Sequence, residues 1–159
     1  MTHSILIKRN ELQQQIDLRN HYLGEAAKRK DADADTLQSS TDEKELFVMF
    51  TKRALNELIS AVALRFSSIG HRIEREFLEI TIGGSIDEKR LHILPILKQA
   101  ITDYLVNEIS LQWLLLRQPM LAQPHLAVRT SLYNNVQHLF AKLYNNSRAR
   151  RRCTNLAGI

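Results

Sequence analysis

Apolar residues recur at steps of three and four over several long stretches of this chain and alternate with polar ones over one short stretch, and these two periods predict its elements. The dominant stretch is Leu94 to Arg117, LPILKQAITDYLVNEISLQWLLLR. Leu97, Ile101, Tyr104, Leu105, Glu108, Leu111, Trp113, Leu115 and Leu116 begin as a stripe and then spread around the whole circumference. Pro95 fits the first helical turn, where a missing N–H costs nothing, and Pro119 stops the helix. A helix apolar all round has no face to give to water. Its C-terminal half is therefore expected to be packed on several sides, by its own domain or by neighbouring subunits. A second long helix opens at a capping box, Ser40 with Glu43, and carries Leu46, Phe47, Phe50, Ala54, Leu58, Val62 and Phe66 on one side to about Ser68. Gly70 stands where a C-terminal glycine belongs.

Two weaker helical patterns flank this pair. From Asn10 to Lys30, Leu12, Ile16, Leu23 and Ala27 make a narrow stripe, as expected of a helix lying on a surface. From Pro124, the residues His125, Val128, Leu132, Val136, Leu139, Phe140 and Leu143 make a stripe that Asn145 and Asn146 end, predicting a helix antiparallel to the central one. Between the first two helices, DADADTLQSST at 31–41 has neither period and is expected to be a linker.

The period switches to two in REFLEITI, 75–82: Leu78, Ile80 and Ile82 point one way, and Phe77, Glu79 and Thr81 the other. Gly83 and Gly84 end this strand. A lone strand leaves half of its backbone groups unpaired, so it needs a partner. Three candidates are open: Ser4 to Ile7, the preceding HRIER, or a strand of another subunit. The expected architecture is mainly α, a bundle of about four helices with a short β-strand or hairpin insertion around residues 75–84. It forms a single helical domain over 1–146, with a peripheral helix at 10–30, the linker at 31–41 and the core at 42–146. Residues 147–159 follow as a basic flexible tail.

Composition adds bounds rather than chemistry. At 159 residues, 44% hydrophobic and 25% charged, the chain suits one ordinary globular domain. Its apolar runs fall far short of the roughly 20 residues that cross a bilayer, so no membrane association is expected. MTHSILIKRN lacks the apolar core of a secretory signal, and the single Cys153 excludes an internal disulfide; both fit a cytoplasmic origin. The net charge of +5 is uneven: Arg148, Arg150, Arg151 and Arg152 gather near the C-terminus, opposite an acidic stretch of Asp31, Asp33, Asp35, Asp42, Glu43 and Glu45.

No residue set declares a reaction. The six histidines stand in no metal-ligand spacing, Cys153 lacks an oriented base, and Gly83 and Gly84 are not followed by a phosphate-loop pattern, so no catalytic residue, metal or cofactor is expected. Asp103, Asn107 and Glu108 lie a turn apart on the central helix; such a row is a solvated edge or a register-fixing polar contact. Trp113 suits both a core and an interface anchor. The arginine run could neutralise a few phosphates, giving modest, salt-sensitive, sequence-independent DNA affinity, or pair with an acidic partner.

The layout resembles the head-to-tail connector, or adaptor, proteins of tailed bacteriophages, small mainly helical proteins that form a ring beneath the portal. DEKELFVMFTKRALNELISAVALRF looks like their early long helix, ILPILKQAITDYLVNEISLQWLL like the later helix with its tyrosine and apolar run, and EFLEITIGG like the extended insertion between them. The resemblance covers about residues 40 to 146; the first helix and the acidic linker depart from it. It implies a non-enzymatic virion component, made in the bacterial host cytoplasm, that assembles as a homo-oligomeric ring and contacts portal and tail or neck proteins, with DNA passing through the lumen. Leu111, Trp113, Leu115 and Leu116, with strand residues Leu78, Ile80 and Ile82, are the expected interface. The competing expectation is a small helical nucleic-acid-binding protein that uses Lys8, Arg9 and the four C-terminal arginines.

Overall fold

A computed structural model describes residues 2–28, 44–84, 86, 88–117 and 119–144, with backbone only at 24–28. The fold is mainly α, with four helices and a small antiparallel sheet. Strand β1 (Thr2–Lys8) runs without a loop into helix α1 (Arg9–Lys28). Helix α2 (Lys44–Val62) is followed by a 3₁₀ turn, Ala63–Arg65, and by strands β2 (Ser68–Ile73) and β3 (Phe77–Gly83). Helices α3 (Ile93–Arg117) and α4 (Gln123–Leu143) complete the chain. The linker at 31–41, the Ser40–Glu43 capping box, Asn145 and Asn146, and the tail at 147–159 lie outside the described residues.

The strand order is β1-β3-β2, both pairings antiparallel. Ser4 to Ile7 and part of HRIER thus both serve as partners: Ile5 stands opposite Ile80 on one side, and His71 opposite Ile80 on the other. Within the protomer both edges of β3 are filled, by β1 on one side and β2 on the other. The alternation holds as read. Ile5, Ile7, Leu78, Ile80 and Ile82 are buried under the sheet, while Ser4, Leu6 and Lys8 face out. Leu78, Ile80 and Ile82 therefore lie in the interior of the protomer and not on its exposed surface, where an interface was expected.

Gly70 does not cap the second helix. That helix gives way at Val62 to a 3₁₀ turn with Leu64 fully exposed, and Gly70 lies inside β2 opposite Thr81. The reason is the alternation Ile69, His71, Ile73, which meets Ile82, Ile80 and Leu78 across the ladder and overrides the weak tendency to extend a helix. Gly83 and Gly84 do close the strand. A Cβ at Gly83 would collide with the Ser68 hydroxyl, and Gly84 holds φ at 123°, where side chains are strained.

Helix α3 is the axis. From Tyr104 to Leu114 it is enclosed almost all round, and its neighbours are elements of the same chain: α4, α2, α1 and β1. Tyr104 meets Tyr133 with ring centroids 6.0 Å apart, and Asn107 meets His125, so α4 runs antiparallel to α3. Phe50 meets Trp113 and Glu57 meets Tyr104, which makes α2 antiparallel as well. Arg19 reaches Asn107 and Leu23 packs on Leu111 and Leu114, so α1 runs parallel to α3. Leu12 and Ile16 join Ile5 and Ile7 in the main core, so the core begins within the first helix and strand rather than at residue 42. No helix among the described residues is long and apolar enough to cross a membrane.

Candidate functional site

Of the polar row on the central helix, Asp103 is exposed and accepts a surface hydrogen bond from Gln99 Nε2 at 2.9 Å, while Asn107 and Glu108 enter two separate interior networks. Asn107, fully buried, donates through Nδ2 to the His125 carbonyl at 3.2 Å. Its Oδ1 then accepts from Arg19 Nη2 and from His125 Nδ1, both at 3.0 Å, which fixes the neutral histidine as the Nδ1–H tautomer. Glu108, buried too, accepts from Arg129 Nε at 2.6 Å and from Gln112 Nε2 at 2.9 Å. The same guanidinium donates through Nη2 to both oxygens of Glu57 at 2.9 and 2.8 Å, and Tyr104 donates its hydroxyl to Glu57 Oε2 at 3.3 Å. The first network joins α1, α3 and α4; the second joins α2, α3 and α4.

Each titrating group responds to these surroundings. Hydrogen bonding to Glu108, with the charges of Glu108 and Glu57, holds the Arg129 proton more firmly than usual, against the cost of burial. Burial, then the Glu108 and Glu57 carboxylates, pushes the Tyr104 hydroxyl well above its ordinary value. Both carboxylates are held by one guanidinium. What this arrangement does is fix the register of three helices, the second of the two readings of the polar row. Among the described residues, no group of three or more His, Cys, Asp or Glu could hold a metal ion.

His125 makes stability depend on acid. Burial, then the Arg19 guanidinium, lowers its pKa to about 4 from the ordinary 6.5. As pH falls, the unfolded chain takes up this proton before the folded one does. The stability that His125 confers is thus complete above about pH 6.5 and is lost between there and about pH 4, up to roughly 3 kcal/mol. We expect His125→Gln to flatten the acid limb of a stability-versus-pH curve measured by denaturant unfolding; an unchanged limb would remove His125 from the account.

One group of exposed apolar residues lies at and beside the turn between α3 and α4, others being Leu18, Met49, Leu64 and Ile96 elsewhere on the surface. Leu115 is 42% exposed, Leu116 64%, Met120 90% and Leu126 42%. Beneath them Leu111, Leu114 and Ala122 form a small separate core with Leu23 and Leu121. The set Leu111, Trp113, Leu115 and Leu116 is therefore split by the fold. Leu111 and Trp113 are inside the protomer, and Leu115 and Leu116 outside it. Trp113 is 5% exposed, with its ring 5.9 Å from that of Phe50 at 79° and the Arg117 guanidinium 4.9 Å above it. Met120 lies in the connector after Pro119 and Leu126 lies off the apolar stripe of the last helix, so periodicity marks neither; their signal is their place beside an over-apolar helix end. Arg148, Arg150, Arg151 and Arg152 lie outside the described residues.

No known protein family, no curated protein and no solved structure matches this chain.

Proposed function

We propose that this protein is a non-catalytic assembly component of a tailed-phage neck, a ring-forming homo-oligomer between portal and tail or neck proteins in the virion. One observation carries the assembly reading: Leu115, Leu116, Met120 and Leu126 stand exposed at the end of the central helix whose stretch from Tyr104 to Leu114 is enclosed. A fully exposed Leu or Met gains about 1.5–3 kcal/mol on burial and a half-exposed one proportionately less, so covering this end with a second protein surface is favourable before the cost of association. The phage assignment rests on the layout resemblance of the two long helices and the extended insertion between them.

The test is native mass across a concentration series, for the wild type and for Leu116→Asp/Met120→Asp. Both positions are exposed, so the melting temperature should stay within a few degrees of the wild type while the high-order oligomer disappears. A variant that assembles as the wild type does would overturn the proposal. Repeating the series with a short duplex DNA, at low and moderate salt, separates the competing reading. A monomer that shifts only with DNA and only at low salt, and that loses this response when residues 147–159 are deleted, is a nucleic-acid-binding module using its arginine tail.

A further inference from the structure

We propose that residues 2–28, strand β1 with helix α1, form an exchangeable arm that occupies the equivalent slot of a second copy of this chain. The inference rests on the assembly reading above and gives it a mechanism. The first support is continuity: β1 ends at Lys8 and α1 starts at Arg9, so strand and helix move as one piece. Its docking site is equally coherent. Among the described residues the strand pairs with β3 alone, from Thr2 opposite Gly83 to Lys8 opposite Phe77, at one edge of the sheet. The junction is pinned by Arg9, whose backbone N–H donates to the Glu76 carbonyl and whose Nη1 donates to the Glu74 carbonyl, both at 2.9 Å. The helix lies on α3 through Leu12, Ile16, Arg19 and Leu23. Withdrawing the arm thus opens one sheet edge and one side of α3 and leaves the pairings of α2 and α4 with α3 intact.

The second support is that the docked helix is held less firmly than its apolar residues alone would hold it. Asn20 shares the inward face with Ile16 and Leu23 and is 1% exposed, and neither its Oδ1 nor its Nδ2 has a hydrogen-bond partner. Ser110 Oγ, fully buried on α3, is likewise without one. Unpaired polar groups in such places cost folding free energy that a water-exposed arm does not lose. Opening is therefore easier than for an all-apolar helix of this length.

The third support is reach. The arm is joined to α2 by residues 29–43, and 15 residues span up to about 50 Å when extended, well beyond the roughly 28 Å length of α2 itself. The connection also leaves from a telling place. Leu23 is level with Leu111 and Leu114, and α1 continues past it to Lys28, toward the end that carries Leu115, Leu116 and Met120. A chain that crosses to a neighbour crosses at the apolar end, so exchange and burial of that end occur together. Every arm contact is re-formed in trans, so the apolar end supplies the net gain.

Ser4 and Thr81 are register partners across β1 and β3, and side chains so placed lie within disulfide reach. We would co-express two differently tagged full-length chains, one Ser4→Cys and one Thr81→Cys, each with Cys153→Ser, and oxidise the purified oligomer. A covalent dimer carrying both tags is expected, in a substantial share of the chains. A single chain with both Ser4→Cys and Thr81→Cys calibrates the pair, since it closes within itself when the arm stays home. Native mass read on the same samples separates the two ideas. An oligomer without the two-tag dimer overturns arm exchange and keeps the assembly reading; a monomer without it overturns both.

Discussion

Arg129→Met will lower the unfolding free energy of the protomer by about 3–5 kcal/mol, measured as a fall in denaturant midpoint at unchanged slope. The size follows from what stays behind. The Glu108 side chain is only 4% exposed, and with the guanidinium gone its carboxylate keeps one neutral donor, Gln112, in a water-poor site. Glu57, at 38% exposure, can turn to solvent, so Glu57→Gln should cost much less, within about 1 kcal/mol. Replacing both members of the buried pair, as Arg129→Met/Glu108→Leu, should recover much of the loss, because no buried charge is then left unpaired. A loss below about 1 kcal/mol for Arg129→Met would mean that Glu108 reaches water or takes up a proton, and the three-helix lock would have to be abandoned.

Trp113→Ala should cost a similar amount, about 3–5 kcal/mol, by removing the largest side chain between α2 and α3. Phe50 loses its edge-to-face partner, and Arg117 loses the ring it covers. Trp113→Phe should restore about half or more, since most of the volume and the contact with Phe50 return. Chemical unfolding of the three proteins checks this, and a Trp113→Ala protomer as stable as the wild type would place the ring outside the core. The consequence for assembly experiments is practical. Any loss of oligomer in Trp113→Ala reports a damaged protomer first, whereas Leu116 and Met120 probe the surface without disturbing what lies beneath.

The elements that were legible in the sequence are those whose signal is local. The stripes of α3 and α4 and the alternation Leu78, Ile80, Ile82 are each written within a couple of dozen residues, and their buried faces match apart from Val128, Leu115 and Leu116, which are exposed. The β-strand from Ser4 to Ile7 was visible as one of three partners, but a seven-residue strand cannot say which ladder it joins until the sheet exists. At Phe66 to Gly70 the local pattern misled, because a glycine after an apolar stripe reads as a helix end and the partner strand that decides otherwise lies downstream. Of the buried networks only the row Asp103, Asn107, Glu108 could be seen. Glu57 and Arg129 stand 72 positions apart and Arg19 and Asn107 88 apart, so nothing local links them. The split of Leu111 to Leu116 into inside and outside needed the positions of α1 and α2, which periodicity on α3 cannot supply.

The strand order also sets a timetable during synthesis. Thr2 pairs with Gly83, so the first strand made is kept waiting for the last strand of its sheet. At about 5–20 residues per second the ribosome takes on the order of 4–16 seconds to travel between them, and longer to deliver all of α3. Throughout that interval Ile5, Ile7, Leu12 and Ile16 have no finished surface of their own chain to rest on. On a crowded messenger the nearest completed β3 and α3 would belong to the chain made just ahead, which is where the proposed exchange would begin.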